Sequence, residues 1–188
     1  MKTLLLASSL IGSKSRTTLN YAKERLLANY PESDYQLLDL AEMEVAFAKG
    51  YHFLDLTGDT QTLVQAIMDC DILILASPIF QASIPASLKN VFDLLPQNAL
   101  QGKVVGTIIT AGSHKHFLIP QYQLNPILTY MKASQPSSYV FAHDLDFEAG
   151  QLINSDVKDR IDRLITECHT LAVALKQAQE QEDQRYDF

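Results

Sequence analysis

The sequence predicts an α/β protein built on a doubly wound parallel sheet. Three observations carry this. Five short, almost wholly apolar runs recur along the chain, as in strands buried on both faces. Stretches with apolar residues at helical spacing separate them. The length, 188 residues with 47% apolar side chains, fits one domain with a full core.

The elements follow in order. Thr3 to Ala7 is the first strand, and Thr17 to Asn29 a helix with Leu19, Ala22, Leu26 and Leu27 on one face. Tyr35 to Leu40 is the second strand. Asp59 caps a helix running to about Asp69, with Leu63, Ala66 and Ile67 inward. Ile72 to Ala76 is the third strand. Pro85 to Leu95 is a helix with proline in its first turn. Val104 to Thr110 is the fourth strand. His116 to Ala133 is a long helix that Pro126 kinks or breaks. Tyr139 to Ala142 is the fifth strand. Asp156 to Ala178 is the last helix, with an apolar stripe from Val157 to Leu175 and i,i+4 pairs Asp156–Arg160 and Asp159–Arg163.

Five such units suit the flavodoxin-like strand order 2-1-3-4-5. Residues past Gln177 are polar and expected to fray. The organisation is therefore one domain over 1–178 with a polar tail over 179–188. Ala41 to Thr57 is long for a connection and carries Met43, Val45, Phe47, Tyr51 and Phe53. Packing onto the parent domain is expected, with a lid or an oligomer contact as alternatives.

Charge and cysteine usage exclude several classes. Lys plus Arg number 15 against 22 Asp plus Glu, a net charge of −7 with no basic cluster. This argues against nucleic acid and against a polybasic membrane patch. No run approaches a membrane span, and Leu4-Leu5-Leu6-Ala7 suits a buried strand better than a signal peptide. Cys70 and Cys168 lack any metal-type spacing and read as inert packing residues. Low cysteine usage suits a reducing, cytoplasmic location.

In open parallel sheets a ligand sits beyond the carboxyl ends of the strands, at the switch point. Here that lies between strands one and three, so three loops matter. The first runs Ser8-Ser9-Leu10-Ile11-Gly12-Ser13-Lys14-Ser15-Arg16-Thr17 into helix one. Its hydroxyls and the amides of a helix N-terminus suit a phosphate, and Lys14 and Arg16 add charge. A polar capping loop is the plainer alternative; the position at the switch point favours phosphate. The second, Ser77-Pro78-Ile79-Phe80-Gln81-Ala82-Ser83, offers a rigid apolar wall and backbone amides at Ile79 to Gln81. The third, Thr110-Ala111-Gly112-Ser113-His114-Lys115-His116, has small residues that let backbone approach a flat ring. His114 and His116 lack an acidic or cysteine companion and are read as rim residues, not metal ligands. GxGxxG, GxxxxGK[ST] and GxSxG are all missing. A phosphate cradle with two loops able to clamp a planar heteroaromatic describes an FMN site.

At these loops the chain resembles the NAD(P)H-dependent FMN reductase family. The stretch Ser77 to Ser83, then Leu88-Lys89-Asn90 and Asp93-Leu94-Leu95-Pro96, is similar to the family's Ser/Thr-Pro-x-aromatic turn and Leu-Lys-x-x-x-Asp helix. Ala99 to Val105 with Tyr122, Leu124 and Pro126 resembles most the reductase components of alkanesulfonate monooxygenase systems. The resemblance implies hydride transfer from C4 of NADPH or NADH to N5 of FMN, with the flavin carrying the chemistry. It implies that Ser9, Ser13, Ser15, Arg16 and Thr17 hold the FMN phosphate. Pro78, Ile79, Phe80 and Gln81 would line the isoalloxazine, and Thr110, Ala111, Gly112 and Ser113 close its other side. No side chain is implied as acid or base. It further implies a homodimer or homotetramer, with Tyr122 at a subunit interface, and a partner monooxygenase that takes reduced FMN. Two positions depart from the family pattern: Ile11 stands where an arginine is common, and Phe80 where a tyrosine is usual. A quinone or azo reductase with retained FMN, and a flavodoxin-like carrier, are the alternatives.

Overall fold

A computed structural model describes residues 1–50 and 52–186. Tyr51 of the 41–57 segment and the end of the polar tail lie outside the described residues. The central sheet has five parallel strands in the order β2-β1-β3-β4-β5. These are β1 (Lys2–Ala7), β2 (Asp34–Asp39), β3 (Ile72–Pro78), β4 (Val104–Ala111) and β5 (Val140–His143). Leu5 of β1 lies opposite Leu37 of β2 on one side and Ile74 of β3 on the other.

Alternation along the strands builds two core layers. Leu4, Leu6, Leu73, Leu75, Val105 and Ile109 face one way. They pack with Leu63 and Ile67 of α2 (Gly58–Asp69), Leu88 and Val91 of α3 (Ala86–Leu94) and Leu128 of α4 (Asn125–Tyr130). Leu5, Ile72, Ile74, Val104 and Ile108 face the other way. They meet Leu19 and Leu26 of α1 (Lys14–Asn29) and Val157, Ile161, Leu164 and Ile165 of α5 (Ser155–Tyr186). The predicted fold class is the observed one.

Several local expectations are corrected. Helix α1 begins at Lys14 rather than Thr17, with Ser13 as N-cap. Its first turn hides polar groups in the interior, Ser15 and Thr18 being buried, so apolar spacing marks only the later turns. Asp59 does not cap α2. Thr57 occupies that place, and the Asp59 carboxylate accepts from the Glu44 amide at 2.8 Å. Pro85 sits at the N-cap of α3, one position before the helix.

The single helix expected over His116 to Ala133 is three pieces. A 3-10 turn spans His114–His116, a π-helix Pro120–Leu124, and α4 follows. The Asn125 amide donates to the Pro120 carbonyl, five residues back. Pro126 falls in the first turn of α4, where its missing N–H leaves no gap.

The short antiparallel pair β6 (Phe147–Glu148) and β7 (Gln151–Leu152) has too few residues to show a period in sequence. Ala149 and Gly150, both at positive φ, turn between them. The last helix does not end at Ala178; α5 continues to Tyr186. Glutamines, glutamates and alanine there are strong helix formers without an apolar face. Of the two expected ion pairs on α5, Asp156 meets Arg160 at 3.0 Å.

The 41–57 segment packs onto the domain. Met43 and Val45 lie on the main core, and Val45, Ala48 and Phe53 surround Leu56, Val64 and Leu94. Asn90 holds the strap from below, accepting from the Ala48 amide at 2.8 Å and donating to the Ala46 carbonyl at 2.9 Å. Phe47 alone of the expected apolar residues described stays largely exposed. Both cysteines are free and buried, as expected of packing residues.

Candidate flavin site

A cleft of about 370 Å³ opens at the carboxyl ends of β1, β3 and β4. Each wall is one of the three loops singled out in sequence. Ser9, Ser13, Ser15, Pro78, Ile79, Phe80, Thr110, Ala111 and Gly112 all line it.

The first loop is anchored from beneath. The Ser8 amide donates to the Ala76 carbonyl at 3.0 Å, and the Ser87 hydroxyl donates to the Ser8 carbonyl at 2.8 Å. Gly12 turns the loop with φ of +84°, a conformation that a side chain disfavours. Ser9 Oγ donates to the Ile11 carbonyl at 2.6 Å, which holds the loop in a tight curl. Ser13 is the N-cap of α1, yet its hydroxyl makes no cap bond. The first-turn N–H groups of α1 are therefore left without that cap, on residues that line the cleft. Ser15 Oγ lies 3.3 Å from Thr110 Oγ1 and joins loop one to loop three.

The second loop corrects an expectation. The Ile79 amide is not free; it donates to the Thr110 carbonyl at 3.2 Å. The Phe80 amide donates to the Ser83 carbonyl, and Ser83 returns the bond, both at 3.0 Å. This closes a two-residue turn with Gln81 and Ala82 both at positive φ. Phe80 stands at its base with its ring part exposed over the cleft.

Four candidates stand behind the lining. Arg16 Nη1 lies 3.0 Å from Asp39 and 3.4 Å from Glu42, so its charge is directed to the end of β2. Thr17 Oγ1 donates to the Gly150 carbonyl at 3.1 Å. Gln81 is at the tip of its turn. Ser113 caps the 3-10 turn, its hydroxyl accepting from the Lys115 amide at 3.3 Å. His114 stacks on His143, ring centroids 4.1 Å apart. His143 accepts at Nδ1 from the Leu145 amide, so its Nε2–H donates to the Gly112 carbonyl at 3.1 Å.

Sequence reasoning missed Asp144 as a lining residue. It directly follows β5, so the rule that selects the loops after β1, β3 and β4 would have found it if extended one strand. Lys14 also lines the cleft and pairs with Asp144 at 2.6 Å. A larger groove of about 600 Å³ lies elsewhere, between the end of α3 and α4, and holds none of the candidate residues.

The donor set suits a phosphate ester: serine hydroxyls, a helix N-terminus and a lysine at one end of the cleft. Pro78, Ile79, Phe80 and Ala111 give the same cleft an apolar lining that suits a flat ring. A 2-1-3-4-5 parallel sheet with such a cleft at its switch point defines a flavodoxin-like protein. The chain belongs to the NADPH-dependent FMN reductase family, whose model matches residues 1–148.

Among its relatives is the NAD(P)H-dependent FAD/FMN reductase of Geobacillus thermodenitrificans (strain NG80-2). The two are 33% identical over 177 residues, covering 94% of this chain and 96% of the relative. The FMN reductase (NADPH) of Escherichia coli (strain K12) is 32% identical over 167 residues, 86% of this chain and 85% of that one. The crystal structure of an apo NADH:FMN oxidoreductase (EMOB) superposes with a TM-score of 0.72 and 26% identity, covering 89% of each chain.

Proposed function

We propose that this protein is an NAD(P)H-dependent FMN reductase that passes a hydride from NADPH or NADH to N5 of FMN. The observation that carries the reading is that the polar N-terminus of α1 and the apolar residues Pro78, Ile79, Phe80 and Ala111 line one cleft. Bound FMN supplies the hydride-accepting ring. The chain supplies position and field. Ser9, Ser13 and Ser15 hold the phosphate with the first-turn amides, and Arg16 and Thr17 support that turn from behind. Pro78, Ile79 and Phe80 border the ring, with Gln81 at the tip of the adjoining turn. Thr110, Ala111 and Gly112 form the opposite wall, shaped by Ser113. No side chain is assigned as acid or base, because hydride transfer between the two rings requires none.

The finer reading is that reduced FMN leaves the cleft for a flavin-dependent monooxygenase. The protein works in the cytoplasm, where two free, buried thiols suit a reducing medium. It associates as a homodimer or homotetramer through the β4–β5 crossover, which exposes Phe117, Leu118, Tyr122 and Tyr130. Light scattering on the purified chain tests that association.

The deciding experiment is NADPH and NADH oxidation by flavin-stripped protein, with and without added FMN. Turnover that saturates in free FMN, with reduced FMN captured by a second protein, supports the reading. Turnover with only stoichiometric FMN plus a quinone or azo acceptor replaces it with the retained-flavin alternative. Tight FMN binding without turnover indicates a carrier.

A further inference from the structure

We propose that Asp144 is a built-in competitor for the ligand's phosphate: it holds Lys14 across the cleft and weakens the grip on anionic flavins. The inference rests on the FMN reading above and deepens it, since it bears on whether the flavin stays or leaves.

Lys14 is the first residue of α1, and its Nζ lies 2.6 Å from Asp144 Oδ1. Both residues line the cleft beside Ser13 and Ser15. The carboxylate also reaches across to loop three, where a Cβ placed on Gly112 would lie 3.1 Å from Asp144 Oδ2. Asp144 therefore stands between the helix N-terminus and the backbone of Gly112.

The acid is held in that place. Asp144 opens the 3-10 turn Asp144–Asp146. His143 Nδ1 accepts from the Leu145 amide at 3.2 Å, and Asp146 accepts from the His143 amide at 2.7 Å. Asn154 Nδ2 donates to the other oxygen of Asp146 at 2.6 Å. The backbone that carries Asp144 is thus fixed from both sides of the turn.

A phosphate arriving at the α1 N-terminus meets two costs. It must draw Lys14 away from Asp144, and it must sit near a carboxylate of its own sign. Arg16 does not offset this, because Asp39 and Glu42 already engage it. A flavin without phosphate meets neither cost. Asp144 thus lowers the preference for FMN over riboflavin and shortens the residence of FMN, as suits a flavin that is released.

The test compares FMN and riboflavin binding by flavin fluorescence in the wild type, Asp144→Asn, Asp144→Ser and Lys14→Gln. Both Asp144 variants are expected to bind FMN roughly three- to tenfold more tightly, the scale of a partly exposed ion pair plus a removed like charge. Their riboflavin affinity is expected to stay unchanged, and their FMN off-rate to fall. Lys14→Gln is expected to weaken FMN and spare riboflavin. The gain in the Asp144 variants should shrink with added salt. A change in packing alone would move both flavins together, which overturns the inference. So does an unchanged FMN affinity in both Asp144 variants. FMN bound no better than riboflavin by every form, Lys14→Gln included, overturns the phosphate reading itself and this inference with it.

Discussion

Ser15 Oγ and Thr110 Oγ1 lie 3.3 Å apart, bridging 95 residues of sequence at the floor of the cleft. The bond ties the first turn of α1 to the end of β4. Both side chains are buried, so water compensates poorly for the loss of either partner. Ser15→Ala and Thr110→Val are each expected to cost about 1 kcal/mol of stability in denaturant unfolding. The double variant should cost less than the sum, because the second change removes a group already left unpaired. Strict additivity would mean the two hydroxyls do not interact.

Ser13→Asp tests the phosphate end. Aspartate is a good N-cap, so the melting temperature should hold or rise slightly. The added carboxylate faces the position assigned to the phosphate. FMN affinity should fall by an order of magnitude or more, as expected from about 1.4 kcal/mol per tenfold change. Riboflavin should be little affected. Unchanged FMN affinity would remove Ser13 from the phosphate cradle.

Gly112→Val tests the ring wall. The nearest atom to a new Cβ is Asp144 Oδ2 at 3.1 Å, the mobile end of a side chain. The fold should therefore survive, while the branched side chain crowds the cleft wall beside Asp144. Loss of binding for both FMN and riboflavin, with an intact circular dichroism spectrum, is the expected result. This differs from Ser13→Asp, which should separate the two flavins.

The fold was legible because its central strands are continuous apolar runs. Leu4-Leu5-Leu6-Ala7 and Ile72-Leu73-Ile74-Leu75-Ala76 are apolar runs of strand length, too short for a buried helix, and both are buried strands. The cleft was legible because strand order dictates where ligands sit, and that rule needs no side-chain detail. What stayed hidden depends on contacts distant in sequence. Nothing near Arg16 signals that Asp39 and Glu42 claim it. The start of α1 was obscured because buried Ser15 and Thr18 look like surface residues. Free amides at Ile79 and Phe80 were expected because a loop sequence does not show that Thr110 and Ser83 already accept from them. Asp144 escaped notice because β5 ends only at His143.

The turn under Phe80 stores strain that substitution can relieve. Gln81 and Ala82 have φ of 48° and 58°, a region that costs non-glycine residues about 1 kcal/mol each. Replacing them with Asn and Gly supplies the pair that two-residue turns of this kind prefer. The variant is expected to gain about 1 kcal/mol, or roughly 2–4 °C in melting temperature at this size. Since the mutual Phe80–Ser83 bonds remain, FMN affinity should not drop. A lower melting temperature would show that the Gln81 side chain stabilises the turn by more than its backbone strain costs.

The buried thiols make stability fall at high pH. Burial pushes Cys70 up to about 11 and Cys168 up to about 12, from an ordinary 9.0. Below pH 9 both folded and unfolded chains keep these protons, so no difference arises. Above it the unfolded chain releases them while the folded chain holds them. The unfolded state then binds fewer protons, and stability declines by up to about 1.4 kcal/mol per pH unit for each cysteine. The decline should run from pH 9 to about 11 for Cys70 and to about 12 for Cys168. Cys168→Ala should reduce the slope to the Cys70 share, measured by urea unfolding from pH 8 to 10.5. The same variant should also rescue Gly106→Ala. A Cβ on Gly106 would lie 2.6 Å from Cys168 Sγ, so Gly106→Ala alone should be strongly destabilised. With the sulfur gone, the new methyl group has room, and the double variant should be more stable than Gly106→Ala. An equal slope in wild type and Cys168→Ala would remove Cys168 from the high-pH loss and leave it to Cys70 and to Tyr21 and Tyr139, which burial also pushes up.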